Sequence, residues 1–213
     1  MMKENRKPGK VISGLLVLML ALTGIVSCGK DEAPPEKSTV VSTNPYSSDS
    51  VFLETKKKLR ENPNDVDALY HLADLYDRNG QYKEAIEAYG KVVKLKPDMG
   101  YAYYKIGTAY DRLNRHAEAV NAFKKTIKYM PGYAPLYNNM GVAYGKLGKT
   151  GEAIAALQKA IKLRTRYSAA RFNLGMTYLK TGNRKAALQQ YESLKDMDSG
   201  IADALMKEIK GNS

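Results

Sequence analysis

Few side chains in this sequence could carry out chemistry, and those few are far apart along the chain. The 213 residues include one cysteine, Cys28, and two histidines, His71 and His116. None of the three has the spacing to another Cys or His that metal sites use. No serine lies in a nucleophile motif with a histidine and an acid, and no glycine-rich phosphate loop is present. The sequence therefore predicts a protein without catalytic residues, metal or cofactor.

The cysteine follows an apolar segment near the start of the chain. Lys3, Arg6, Lys7 and Lys10 form a basic beginning, and residues 11–26 contain no charged side chain. This stretch is shorter than the roughly 20 apolar residues that a membrane-spanning helix needs. A basic start, a short apolar stretch and a small residue at its end are typical of a secretory signal peptide. We therefore expect the chain to be exported.

The four residues that end at Cys28, Ile-Val-Ser-Cys, resemble the bacterial lipobox. The resemblance implies that residues 1–27 are a cleaved signal peptide and that the Cys28 thiol carries a diacylglycerol. Two or three acyl chains hold a protein to a membrane far better than one. Gly29 implies the periplasmic side of the outer membrane, with the inner membrane or the cell surface as alternatives. An uncleaved N-terminal helix with an incidental cysteine is the other interpretation.

A polar segment separates this leader from the first predicted helix. Residues 28–48 are mostly small or polar and show no helical or strand period, which predicts a flexible tether. Asp49 could cap a helix that runs to about Glu61. Pro63 ends that helix, because the residue before a proline avoids helical angles. We place the N-terminal flanking helix within residues 49–65.

From residue 66 onward the sequence repeats every 34 residues without an insertion. Four series share this period: Ala85, Ala119, Ala153, Ala187; Tyr76, Tyr110, Tyr144, Tyr178; Leu72, Ile106, Met140, Leu174; and Gly80, Asn114, Gly148, Gly182. Apolar residues at spacings of 3 and 4, as at Leu69, Leu72 and Tyr76, predict a first helix in each repeat. A Gly or Asn then ends it by taking a left-handed conformation. Since one helix pair cannot bury its apolar face alone, the pairs must stack.

This period and these residues resemble the tetratricopeptide repeat (TPR) family over about residues 66–201. The resemblance implies an all-α fold, a right-handed α-solenoid of four helix pairs with a flanking N-terminal helix and a C-terminal capping helix. The predicted repeats are residues 66–99, 100–133, 134–167 and 168–201, and the capping helix is residues 202–213. The apolar face expected for the cap contains Ile201, Ala204, Leu205 and Ile209.

In TPR proteins a stripe along the first helices lines the concave surface, which implies a peptide-binding groove here. The N-terminal half of the stripe is acidic and rich in tyrosine, and the C-terminal half is apolar. The predicted binding residues are Tyr70, Asp74, Asp77, Tyr101, Tyr104, Thr108, Asp111, Arg112, Asn138, Asn139, Val142, Phe172, Asn173 and Met176. Because apolar patches mark interaction surfaces, Phe172 and Met176 indicate a partner. The alternative is that the C-terminal helix folds back and covers them.

The formal net charge of +12 comes largely from lysines away from this stripe. On the predicted second helices, largely on the convex side, lie Lys83, Lys91, Lys94, Lys124, Lys125, Lys128, Lys159 and Lys162. Such a run is most often a solvated face, and contact with anionic lipid or a cell-wall polymer is the functional alternative. The export signal and the lack of a recognition motif argue against nucleic acid.

These observations predict a non-enzymatic, membrane-anchored adaptor. Its concave groove would bind a protein or peptide segment and promote assembly of an envelope complex. The combination of anchor and TPR array is similar to type IV pilus pilotins and to an outer-membrane assembly factor. A pilotin-like role in secretin biogenesis is therefore one alternative, and cell-wall or anionic-lipid binding through the convex face is another.

Overall fold

Ten helices make up the part of the chain that the structure describes. The computed structural model describes residues 48–211, with side chains from residue 50 onward. The predicted signal peptide, Cys28 and nearly all of the predicted tether lie outside this range. The helices are α1 (Ser48–Glu61), α2 (Val66–Arg78), α3 (Tyr82–Leu95), α4 (Gly100–Arg112), α5 (His116–Tyr129), α6 (Ala134–Lys146), α7 (Thr150–Leu163), α8 (Ser168–Lys180), α9 (Arg184–Lys195) and α10 (Ser199–Gly211).

The predicted all-α solenoid is confirmed. Four helix pairs, α2/α3, α4/α5, α6/α7 and α8/α9, follow one another with α1 before them and α10 after them, and residues 48–211 contain no strand. Each pair contacts the next, since α3 lies against α4, α5 against α6 and α7 against α8. Within this same range no helix combines the length and the apolar character needed to cross a bilayer.

The turn inside each pair has the left-handed residue that the sequence predicts. Gly80, Asn114, Gly148 and Gly182 have φ angles of 74°, 58°, 72° and 73°. After α2 the Gln81 amide donates to the Tyr76 carbonyl at 2.9 Å, and the Gly80 amide donates to the Asp77 carbonyl at 3.1 Å. These two bonds satisfy carbonyls that the end of a helix otherwise leaves without partners. A glycine or asparagine in the left-handed conformation therefore ends the first helix of every repeat.

Small residues let the two helices of a pair approach closely. A Cβ atom added at Gly141 in α6 would lie 2.6 Å from Cγ of Leu157 in α7, and one added at Gly107 in α4 would overlap the ring of Phe123 in α5. Phe123 is fully buried and Leu157 nearly so. The glycines are thus part of the core packing, because they leave room for a large side chain from the partner helix.

The last helix differs in detail from the prediction. It begins at Ser199, because the Asp198 carboxylate accepts the Ile201 amide at 3.1 Å and caps it. Its buried face contains Ala202, Leu205 and Ile209, while the predicted face residue Ala204 is exposed. Spacings of 3 and 4 residues place these three side chains on one side of a helix, whereas Ala204 lies on another.

A pair of substitutions in α6 tests the close approach. We expect Gly141→Ala to lower the free energy of unfolding by about 1–3 kcal/mol, because the new methyl group has no room against Leu157. Gly145→Ala is the matched control, since no atom lies within 4 Å of its added Cβ and alanine favours helix. Urea denaturation followed by circular dichroism measures both. Equal effects of the two substitutions would contradict the packing role of Gly141.

Candidate peptide-binding groove

The predicted stripe lies on the inner side of the helix stack. First helices contact one another in the later repeats, α4 with α6 and α6 with α8, and α8 also contacts the capping helix α10. In the described residues the second helices of neighbouring repeats make no comparable contact. The layer whose helices lie closer together is the inner layer of a curved stack. The first helices therefore form the wall of the groove.

A cluster of tyrosines occupies the middle of this wall. The rings of Tyr104 and Tyr133 meet edge to face with centroids 5.1 Å apart, and Tyr101 lies 5.5 Å from Tyr104 and 6.1 Å from Tyr133. Tyr101 is 40% exposed, one of the most exposed large apolar side chains in the described chain. Burial raises the pKa of Tyr104 and of Tyr133, so both phenols stay neutral over the ordinary pH range.

The repeat pattern predicted Tyr101 and Tyr104 as binding residues, but not Tyr133. Tyr133 is the residue just before α6, outside the helical positions that the stripe was drawn from. The signal was present in the period, because Tyr133 and Tyr167 lie 34 residues apart and each precedes the first helix of a repeat. Residues just outside a helix can therefore belong to the groove wall as well.

Lys105 neutralises the acidic N-terminal part of the stripe. Its Nζ lies 2.9 Å from Asp74 Oδ1 and 2.6 Å from Asp77 Oδ2, and all three side chains are less than one-fifth exposed. Arg78 also bridges to Asp74 at 2.7 Å, and the Tyr89 hydroxyl donates to Asp74 at 3.1 Å. The prediction of an acidic groove surface here is corrected accordingly. Sequence reasoning missed Lys105, because it lies next to the stripe and not on it.

These contacts also account for the protonation states of the cluster. Burial tends to raise the pKa of Asp74, but the hydrogen bond from Lys105 and its charge outweigh burial, so the net shift is downward. The same two carboxylates outweigh the burial of Lys105 and raise its pKa. Burial raises the pKa of Tyr70, whose ring packs edge to face on Tyr89 at 5.4 Å, to about 12.

A chain of side-chain amides continues from the tyrosine cluster toward the C-terminal end. Asn139 donates to the Tyr104 hydroxyl at 3.0 Å, Asn138 donates to Asn139 at 3.1 Å, and Asn173 donates to Asn138 at 2.9 Å. The structure thus brings together four predicted binding residues from α4, α6 and α8. Lys105, Asn139 and Asn173 are repeat-equivalent, and each bonds to the first helix of the preceding repeat.

Three other predicted residues have mainly local contacts. Thr108 donates to the carbonyl of Lys105 in its own helix at 2.8 Å, and Asp111 contacts His116 Nδ1 at 2.8 Å across the turn to α5. Arg112 is exposed at the end of α4. Val142 and Met176 line a small cleft between α6 and α8. In the described residues no group of three or more potential metal ligands occurs.

The apolar C-terminal part of the stripe is largely used for packing within the chain. Phe172, Met176 and Leu179 lie against a core cluster from α9 and α10 that includes Leu194, Leu205 and Ile209. A Cβ atom added at Gly175 would lie only 2.7 Å from Cδ2 of Leu205. Phe172 and Met176 are half-buried as a result. This arrangement favours the alternative in which the C-terminal helix covers the patch.

Comparison with protein families agrees with this architecture. One family model described as tetratricopeptide repeat matches residues 59–100 and 70–134, and a second with the same description matches residues 132–198. The chain is a tetratricopeptide repeat protein. The first match begins inside α1.

Solved structures of TPR proteins are similar over most of this chain. A crystal structure of MamA is 28% identical, with a TM-score of 0.69, and the match covers 73% of this chain and 91% of that one. YrrB, described as a TPR protein with an unusual peptide-binding site, is 25% identical with a TM-score of 0.60, covering 74% and 86%. TTC0263, a thermophilic TPR protein of Thermus thermophilus, is 27% identical with a TM-score of 0.60, covering 78% and 90%. No curated protein sequence matches the chain.

The Lys105 cluster predicts a large stability effect for one lysine. We expect Lys105→Met to lower the free energy of unfolding by about 2–3 kcal/mol, because it removes the cation between two carboxylates that are less than one-fifth exposed and leaves Asp77 without its ion-pair partner. The control is Arg115→Gln, which breaks an exposed ion pair with Glu118 and should cost less than about 1 kcal/mol. Urea denaturation at pH 7 measures both. A loss for Lys105→Met as small as that of the control would contradict the proposed neutralising role.

The same cluster predicts how that loss depends on pH. Because the folded-state pKa of Asp74 lies below its ordinary value of 3.8, its stabilising contribution is present above that value and is lost as pH falls through the folded-state pKa. In Lys105→Met the lysine no longer lowers the pKa of Asp74, so the variant loses less stability than the wild type as pH falls. The stability difference between wild type and variant should therefore shrink between pH 6 and pH 3. A difference that stays constant over this interval would contradict the electrostatic explanation.

Proposed function

We propose that this TPR protein is a non-enzymatic adaptor that holds a polypeptide segment in its concave groove at a membrane surface. A TPR solenoid is a scaffold for contacts between proteins, since its stacked repeats present a long surface without a catalytic cavity. The structural neighbour described as having a peptide-binding site supports this general role. The groove itself limits what kind of segment would fit.

The observation that carries the proposal is the tyrosine cluster, in which Tyr101 is exposed and packs on the partly buried rings of Tyr104 and Tyr133. Tyrosine offers a large contact area at a low cost in conformational entropy, and it is enriched at interface positions that dominate binding. Tyr101 presents its ring to solvent, while Tyr104 and Tyr133 support it from below and beside it. A rigid aromatic patch of this kind is suited to a side chain of a bound segment.

The charges around the cluster limit the class of ligand. The Lys105 ammonium is already held by Asp74 and Asp77, so it is unsuited to gripping a free C-terminal carboxylate. The amide of Asn173 is likewise held, because it donates to Asn138 at 2.9 Å. We therefore propose an internal segment with an uncharged aromatic or aliphatic side chain as the ligand of this part of the groove.

The membrane part of the proposal depends on Cys28. The lipobox-like residues before it support a lipid anchor on the periplasmic side of the outer membrane, and the polar residues to position 48 would let the solenoid stand off that membrane. Assembly of an envelope complex is the role that this combination favours. A pilotin-like role in secretin biogenesis is the narrower form of the proposal, and normal secretin multimers in a deletion strain would eliminate it.

Site-specific photocrosslinking tests the groove. We expect a photoreactive phenylalanine at position 101 to give a discrete adduct with a protein partner in cells, because this side chain faces the groove. The same group at position 103 is the matched control, since Tyr103 lies in the same helix but stacks on Tyr129 of α5 at 5.9 Å. The adduct from position 101 should weaken in a Tyr133→Ala background. Equal adducts from both positions would contradict a groove-specific partner.

Fractionation of cells tests the anchor independently of the groove. Cys28→Ala removes the thiol to which the lipid would be attached, so we expect the variant to leave the membrane fraction, and metabolic labelling with a fatty acid to disappear. Cys28 is the single cysteine of the chain, so the label reports on that residue alone. Membrane retention together with unchanged labelling would contradict lipidation at Cys28.

A further inference from the structure

One edge of the solenoid carries apolar side chains at its surface. The second helices end there, and Leu95, the last residue of α3, and Leu163, the last residue of α7, are 44% and 36% exposed. The two leucines occupy equivalent positions two repeats apart, and Tyr129 at the end of α5 occupies the position between them. Since all three helices end at the same point of the repeat, these side chains form a row along the edge.

The same edge is strongly basic. The six cations in the last turns and following loops of α3, α5 and α7 are Lys94, Lys96, Lys128, Lys162, Arg164 and Arg166, and all six are exposed. Asp98 is the single acidic residue in those three loops. Lys94, Lys128 and Lys162 are one repeat apart, so each helix places a cation next to the leucine or tyrosine of the row.

In the described part of the chain, the six cations at the ends of α3, α5 and α7 lack carboxylate partners, unlike Lys195 at the end of α9, which pairs with Glu192 at 3.1 Å and is followed by Asp196 and Asp198. Within residues 50–211 none of the six forms an ion pair with a carboxylate. The first helices end at the opposite edge. Two of the cations there form ion pairs, Arg78 with Asp74 and Arg115 with Glu118, each at 2.7 Å. Lys128 and Arg164 instead lie over the rings of Tyr129 and Tyr167, which leaves their charge unneutralised.

Helix dipoles account for only part of this arrangement. A cation in the last turn of a helix interacts favourably with the helix C-terminus, which explains Lys94, Lys128 and Lys162. It does not explain Lys96, Arg164 and Arg166, which lie beyond the helix ends, nor does it explain exposed leucines among them. Basic residues beside exposed leucines are the composition of segments that lie in the interface of an anionic bilayer.

We propose that this edge docks on the surface of an anionic lipid bilayer, with Leu95 and Leu163 entering the boundary between headgroups and acyl chains and the six cations contacting lipid phosphates. A bilayer fits better than an acidic protein or a nucleic acid, because the exposed leucines need an apolar partner beside the phosphates. The inference rests on the proposed membrane attachment, and it adds the orientation in which the attached solenoid lies.

An environment-sensitive fluorophore on an introduced cysteine tests this orientation. The lipidated protein leaves no free thiol of its own, because the proposed lipid occupies the single cysteine, Cys28. Variants with one introduced cysteine are purified from membranes and reconstituted into phosphatidylcholine vesicles with brominated acyl chains, with or without phosphatidylglycerol. Labels at Leu95→Cys and at Leu163→Cys should be quenched in the anionic vesicles. The matched control is Leu147→Cys, because Leu147 is 38% exposed but lies at the end of a first helix, on the opposite edge.

Neutralising the cations supplies the second arm of the experiment. Each Lys near an anionic surface contributes about a fivefold factor in binding. Lys94→Gln, Lys128→Gln and Lys162→Gln together should therefore weaken docking by roughly a hundredfold and reduce quenching at position 95 to the level at position 147. Equal quenching at all three positions, or quenching without anionic lipid, would overturn the docking. Failure of the chain to co-float with the vesicles would instead overturn the attachment on which it rests.

Discussion

The structure depends on burial of apolar faces that no helix pair can cover by itself. Each pair leaves one side of its packing surface open, and the next pair closes it. Close approach within a pair requires a residue as small as glycine opposite a large side chain, as at Gly107 with Phe123 and Gly141 with Leu157. At the last pair this requirement is met by α10, whose Leu205 lies against Gly175. The end of the stack is therefore closed by the chain's own final helix, and the apolar residues of α8 are part of that closure.

Polar contacts between repeats then decide what the groove presents to a ligand. One position of the repeat bonds to the first helix of the preceding repeat. It is occupied by Lys105, Asn139 and Asn173 in three successive repeats. Where that residue is a lysine, it neutralises Asp74 and Asp77. Where it is an asparagine, it supports the Tyr104 hydroxyl or continues the amide chain. Because these groups satisfy one another, Tyr101, the exposed member of the tyrosine cluster, is the part of this wall that is left for the proposed partner.

The two proposed binding surfaces, the groove and the basic edge, are formed by different parts of the same repeat. The groove follows from the inner layer of first helices, and the basic edge follows from second helices that all end at one level. A segment held in the groove and a bilayer along the edge would contact different residues. A solenoid attached through a tether could therefore bind a polypeptide while lying on the membrane.

The sequence by itself determined the repeat, since a strict 34-residue period in apolar, small and turn residues has one physical solution, stacked helix pairs. It also placed Tyr101, Tyr104, Asn139 and Asn173 at fixed positions within that period, and the resemblance to TPR proteins assigned these positions to the expected groove. Only the tertiary structure decided which groups neutralise one another. The distance from Lys105 to Asp74 and Asp77, the position of Tyr133 beside Tyr104, and the burial of Phe172 by α10 all depend on the distance and angle between helices of different repeats. Periodicity places residues on a helix, but packing of whole side chains sets how neighbouring helices meet.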